Sequence, residues 1–158
     1  MKNMYVKEII ESARNGVTKV FFDMDGVLVR IGRFASDISK VDVQERTPIK
    51  SMIKTAKQLH RGGVAVGILG LVVNANHEQE MLDWIGTHMR FIKNENVVFR
   101  VAGDFYNVNK FSLKPEMLVE RMTEGETIYY IDDSPDALHG MVKAIPSVKC
   151  IHVSGFVK

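Results

Sequence analysis

Val20-Phe21-Phe22-Asp23-Met24-Asp25-Gly26-Val27-Leu28-Val29 is an apolar run that stops at two acids one residue apart, followed at once by glycine. The run has the length and β-rich composition of a buried strand. Alternation puts Asp23 and Asp25 on the same side, and Gly26 lets the chain turn sharply without a Cβ clash. Two carboxylates aimed at one point repel unless a cation or a proton sits between them. That arrangement is costly for a plain turn and points to a metal-assisted site.

Outward from this stretch, strand and helix alternate with short connections. Residues 5–14 place Tyr5, Ile9, Ile10 and Ala13 at helical spacing, and Asn15-Gly16 stops that helix. The first strand covers residues 18–22. Residues 30–47 read as a flap or loop, too short for a separate cap domain. Thr47-Pro48 then reads as a capping hydroxyl followed by proline at the first helical position. Ile49, Ile53, Ala56 and Leu59 form that helix's apolar stripe, and Gly62-Gly63 ends it. Further strands are expected at 64–69, 97–101, 127–131 and 148–153, and further helices at 77–89, 115–122 and 135–142. In the helix at 77–89, Met81, Leu82, Trp84 and Ile85 are expected to face inward. The pattern calls for a single α/β domain over residues 1–158: a Rossmann-like three-layer sandwich with a mainly parallel five-stranded sheet. Active groups belong at the C-terminal ends of its strands.

Composition narrows the function classes. The chain has 158 residues and a formal net charge of +2, too weak a sum to indicate nucleic-acid binding. The one cysteine, Cys150, cannot form an internal disulfide, which favours a reducing, cytoplasmic setting. Its apolar neighbours suggest a buried strand thiol. No apolar run is long enough to cross a membrane, and the N-terminus does not read as a signal peptide. His60, His77, His88, His139 and His152 are scattered without metal-ligand spacing and read as surface or satisfied structural residues.

A second acidic cluster, Asp132-Asp133 with Asp136 beyond, follows the strand at 127–131. Consecutive strand residues face opposite ways, so Asp132 and Asp133 can serve one site only where the strand breaks. Ser134-Pro135 supplies that break. Clustered hard oxygen ligands without histidine or cysteine partners suit magnesium, which retains waters and helps bind phosphate.

Asp23-Met24-Asp25-Gly26-Val27 after an apolar strand, with Ile131-Asp132-Asp133-Ser134-Pro135 later, resembles the haloacid dehalogenase-like (HAD) phosphohydrolase superfamily. The resemblance covers nearly all the chain from Thr18 onward. It implies that Asp23 is the nucleophile, forming an aspartyl-phosphate, and that Asp25 is the general acid and then the base. Magnesium would be held by the Asp23 carboxylate, the Asp25 backbone carbonyl and either Asp132 or Asp133. An aspartate at position 25 matches phosphatases rather than the family's ion transporters or dehalogenases. The family also uses a lysine to offset the charge of nucleophile and phosphate. Lys114, before Pro115 at an expected helix start, matches that pattern best, with Lys110 the alternative.

One departure concerns the phosphate site. The family usually has serine or threonine at the end of its second strand. Here Ile68-Leu69-Gly70-Leu71 places Gly70 there, leaving backbone N–H groups of Gly70 and Leu71 to hold phosphate together with Lys114. Asn74 and Asn76 are candidates to replace the missing hydroxyl, or plain turn residues. Arg30, Arg33 and Phe34 are candidate substrate contacts. The leading expectation is a magnesium-dependent phosphomonoesterase acting on a small nucleotide or sugar (acid) phosphate. A faint likeness to 5′(3′)-deoxyribonucleotidases lies in Leu82-Asp83-Trp84-Ile85. The alternatives are a polynucleotide 3′-phosphatase and a HAD-fold binding or regulatory protein that has lost turnover. Without a cap, a second copy of the chain is a candidate to complete the site.

Overall fold

The structure is a computed structural model and describes residues 4–30, 47–102 and 110–153. In chain order it forms α1 (Met4–Asn15), β1 (Thr18–Phe22), β2 (Val29–Arg30), β3 (Thr47–Pro48), α2 (Lys50–Arg61), β4 (Ala65–Val72) and α3 (Ala75–His88). A 3-10 turn at Asn94–Asn96 leads into β5 (Val97–Val101), followed by α4 (Lys110–Val119), β6 (Thr127–Asp132), α5 (Pro135–Ala144) and β7 (Lys149–His152). The main sheet is five-stranded and parallel throughout, in the order β5-β4-β1-β6-β7.

Alternation along β1 builds the three layers. Val20 and Phe22 face one way, into a core completed by Val6 and Ile9 of α1, Ile53, Ala56 and Leu59 of α2, and Met81, Trp84 and Ile85 of α3. Phe21 faces the other way, against Met117 and Leu118 of α4 and Leu138 and Met141 of α5. Because β1 has neighbours on both sides, the chain reverses its direction of strand addition between β1 and β6. The crevice at such a switch point, beyond the strand C-termini, is where α/β folds place ligands.

Three element boundaries differ from the sequence reading. Thr47 and Pro48 do not cap α2; they pair as β3 with β2, Val29 opposite Pro48 and Arg30 opposite Thr47. Ile49 is the residue before the helix, and its N–H donates to the Leu28 carbonyl at 2.8 Å. The preference of proline for the first helical turn loses here to an antiparallel pairing that local sequence does not reveal. α4 begins at Lys110 rather than Pro115, so Pro115 lies inside it and Lys114 is not at its start. β4 runs on to Val72 because β5 extends its ladder, pairing Gly70 with Phe99 and Leu71 with Arg100 after β1 has ended. Leu82 is half-buried, whereas Met81, Trp84 and Ile85 are buried as expected. Of the flap expected at 30–47, residues 31–46 lie outside the described residues, and its two ends, Arg30 and Thr47, pair with each other in β2 and β3.

Candidate active site

The end of β1 is held by the residue that leaves it: Asp23 N–H donates to the Ile131 carbonyl of β6 at 3.0 Å. The chain then wraps around one acceptor. The Met24 carbonyl receives N–H groups from Val27, Leu28 and Val29 at 3.3, 3.0 and 3.1 Å. Gly26 turns this loop with φ of +85°, a conformation that costs a residue with a Cβ. A Cβ there would also lie 2.8 Å from Cγ of Asp133. Glycine is therefore required twice, by the turn and by the carboxylate that fills the adjoining space.

Parity brings the remaining groups together. Asp23 follows Phe21 towards the α4 and α5 side, and Asp132 follows Tyr130 to the same side. Lys114 of α4 reaches between them, its Nζ 2.9 Å from Asp23 Oδ1 and 3.2 Å from Asp132 Oδ2. Carboxylate oxygens of Asp23, Asp132 and Asp133 lie within 4.8 Å of one another. The break after β6 aims Asp133 into the same space as Asp132. Asp25 is half-buried in the turn.

Asp132 is fully engaged. Its side chain is 1% exposed, Oδ2 accepts from the Tyr130 hydroxyl as well as from Lys114, and Oδ1 accepts the Ser134 N–H at 3.0 Å. Burial opposes its ionisation, but Lys114 and these donors outweigh burial and hold the carboxyl below the usual range. Asp23 goes the other way: burial, with Asp132 and Asp25 nearby, pushes it up to about 8 against the pull of Lys114. Burial and the Asp132 carboxylate likewise push Asp133 up to about 6. Burial alone would lower the Lys114 ammonium; Asp23 and Asp132 override it and raise it above an ordinary lysine. Burial, then the charges of Asp23 and Asp132, keep Tyr130 protonated well beyond the normal range, so it is a donor at any physiological pH.

The donor set fits a hard divalent cation. Three carboxylates lie within 4.8 Å of one another with Lys114 bonded to only two of them, and the raised values of Asp23 and Asp133 reflect crowded negative charge that a cation would relieve.

Other expected site residues are placed differently. Gly70 and Leu71 are not at a strand end but inside β4, paired with β5. A Cβ on Gly70 would lie 3.0 and 3.2 Å from Cε1 and Cδ1 of Phe99, so a side chain there would press on the Phe99 ring, which would have to give by a few tenths of an ångström. Asn74 caps α3, its Oδ1 accepting the His77 N–H at 2.9 Å, and Asn76 is exposed in that helix. His77 Nδ1 accepts the Val73 N–H at 2.9 Å, which satisfies that buried ring as a structural residue. Cys150 is half-buried on β7, and burial pushes its thiol up to about 11. Arg30 is exposed on β2. Arg33 and Phe34 lie outside the described residues, and Lys110 opens α4 one turn before Lys114. Two contributors were missed, Tyr130 and Ser134. Counting back by two from Asp132 identifies the face of Tyr130; the Ser134 N–H contact depends on the turn itself.

No protein-family model and no curated protein matches the chain. Solved structures do. A chain of the Pnkp1/Rnl/Hen1 RNA repair complex superposes with a TM-score of 0.69 at 17% identity, over 88% of this chain and 43% of that one. This chain thus spans less than half the length of that relative. A protein of Bacteroides fragilis described as a haloacid dehalogenase-like hydrolase gives 0.59 at 15% identity, covering 90% of each chain. The HAD domain of effector protein Lem4 from Legionella pneumophila gives 0.56 at 12% identity, covering 90% of this chain and 88% of that one. The chain has the haloacid dehalogenase-like fold, as its two aspartate motifs predict. No helix among the described residues is long and apolar enough to cross a membrane.

Proposed function

We propose that the protein is a magnesium-dependent phosphomonoesterase working through an aspartyl-phosphate. The observation that carries this reading is the placement of Lys114 Nζ between Asp23 and Asp132, beside a third carboxylate on Asp133. Such a site balances a nucleophile, a cation and an incoming phosphate within one shell.

Asp133 is the better candidate for a direct metal ligand. Asp132 already has donors on both oxygens, whereas Asp133 borders the space beside Gly26. Asp23, Asp133 and the Asp25 backbone carbonyl would hold the ion, which supplies charge neutralisation for the phosphate oxygens and the ionised nucleophile. The chain's own residues do the rest. Asp23 Oδ attacks phosphorus as the bond to the leaving oxygen breaks, and Asp25 gives that oxygen a proton. Asp25 then takes a proton from water as the water attacks phosphorus, releasing Asp23 and inorganic phosphate. Lys114 offsets the charge developing on the phosphoryl oxygens and is itself oriented by Asp132.

The competing reading, a binding or regulatory domain without turnover, draws on Gly70, which lacks the hydroxyl and packs closely against the Phe99 ring. Losing one phosphate hydrogen bond costs on the order of 1–3 kcal/mol, which slows an enzyme rather than silencing it. Hydrolysis of an aryl phosphate with and without magnesium, by wild type and by Asp23→Asn, separates the two. The phosphatase reading expects metal-dependent turnover that the substitution abolishes. Turnover by neither protein would favour the binding domain.

A further inference from the structure

We propose that the outer face of α2 is a binding surface for the sugar–phosphate backbone of a nucleic-acid strand. Its terminal phosphate would be the group that enters the aspartate site, so the proposal rests on the phosphatase reading for its chemistry but not for its binding surface.

α2 has the sequence Lys50-Ser51-Met52-Ile53-Lys54-Thr55-Ala56-Lys57-Gln58-Leu59-His60-Arg61. Ile53, Ala56 and Leu59 are buried, and Lys50, Lys54, Lys57 and Arg61 are all exposed. Steps of four, three and four residues keep those four cations on one line along the helix, about 16 Å from end to end. Consecutive charges are then about 4.5–6 Å apart along the axis.

Helix stability favours Arg61 alone, in the last turn, and does not account for the other three. Lys50 stands at the first helical position, where the macrodipole disfavours a cation, and the first turn has no acid. Like charges three and four residues apart repel. No described residue forms an ion pair with any of the four. Among the helices of the described residues, α2 alone carries no aspartate or glutamate. The whole chain nets only +2, so this face is a local concentration of charge and not a reflection of overall composition.

The stripe also leads to the site. The Ile49 N–H, immediately before α2, is bonded to the Leu28 carbonyl of the turn that carries Asp25 and Gly26. Arg30 is a further exposed cation on β2, paired opposite Thr47, which lies three residues before α2 begins. A linear polyanion lying along α2 would therefore reach the aspartates by passing over that turn, since Asp23 and Asp132 face the α4 and α5 side of the sheet and α2 packs on the other. An anionic membrane is the other partner for a basic helix, but α2 buries its apolar stripe in the core and offers a bilayer nothing to insert.

The test uses a fluorescent single-stranded 12-nucleotide DNA ending in a 3′-phosphate, followed by anisotropy at several salt concentrations without magnesium. Four phosphate contacts predict a log–log salt slope of about −3, or roughly fifty-fold weaker binding at 200 mM than at 50 mM salt. The double reversal Lys54→Glu with Lys57→Glu is expected to weaken binding at least tenfold and to reduce the slope to about −1.5. Reversal of two lysines elsewhere, Lys143→Glu with Lys149→Glu, is expected to leave binding within about twofold, as nonspecific attraction alone would not. Wild type that does not bind, binding insensitive to the α2 reversals, or equally tight binding to phosphatidylserine vesicles would each overturn the proposal. Should the α2 variant fail to fold, the wild-type salt slope and the vesicle comparison still decide. Aryl phosphate turnover reports separately on the phosphatase reading: turnover without strand binding sinks only this proposal, and strand binding without turnover sinks only that reading.

Discussion

The Asp133 carboxylate occupies the space in which a side chain at Gly26 would stand, with its Cγ only 2.8 Å from the position of the missing Cβ. The first aspartate loop and the second acidic pair, more than a hundred residues apart in sequence, thus meet through the absence of one methyl group. Gly26→Ala is expected to strain a backbone at φ of +85° and to displace Asp133. The expected cost is about 2 kcal/mol of stability. Thermal unfolding and a magnesium titration check both effects, and metal affinity should fall along with stability.

Lys114 is the only described ammonium within bonding distance of Asp23 and Asp132. Lys114→Met is expected to reduce phosphate-ester turnover by roughly 10²–10³-fold, the range for loss of one preorganised charge partner. Lys110→Met is the paired comparison, expected to cost less than about fivefold. Equal losses in the two variants would remove Lys114 from its proposed role.

Stability should depend on pH in a direction set by the raised carboxyls. Asp23 is held up to about 8 and Asp133 to about 6, against an unfolded value of about 3.9. Between about pH 4 and 8 the native state therefore binds more protons than the unfolded chain, and stability falls as pH rises. Asp132, held below its ordinary range, has the opposite sign, but its contribution is lost only below about pH 4. The raised Lys114 contributes throughout this window and is lost only above the ordinary lysine range. Without metal, the melting temperature is expected to be higher at pH 5 than at pH 8. Magnesium should raise it more at pH 8, where fewer protons must be displaced. A melting temperature that rises from pH 5 to pH 8 in chelator would contradict the assignment.

Gly70 and Phe99 are expected to behave as a pair. Gly70→Ser places a Cβ 3.0 Å from the Phe99 ring and should destabilise by about 1–3 kcal/mol through overpacking. Combining it with Phe99→Leu makes room, so the double variant should be less destabilised than the sum of the two single changes. A double-mutant cycle on unfolding free energies measures that coupling directly.

Most of the fold was legible in the chain because it is written in local periodicity. The apolar run before Asp23, the helical stripe of Ile53, Ala56 and Leu59, and the turn glycines Gly26 and Gly63 each act over a few residues. The two aspartate clusters were legible as well, since strand ends gather their acids whatever the details of packing. The boundaries that moved, at Pro48, Lys110 and Val72, are those set by a partner strand or a following turn remote in sequence.

Sequence alone determined the parallel α/β order and the convergence of Asp23 with Asp132 and Asp133, because strand parity and topology follow from residue pattern. Only the tertiary structure decided that Lys114 lies between Asp23 and Asp132, that Tyr130 and Ser134 engage Asp132, and that Phe99 fills the space beside Gly70. Those relationships depend on distances across elements, where a shift of one ångström separates a hydrogen bond from none. The cationic face of α2 lies between the two: its residues were always in the sequence, but a net charge of +2 conceals them until the helix lines them up.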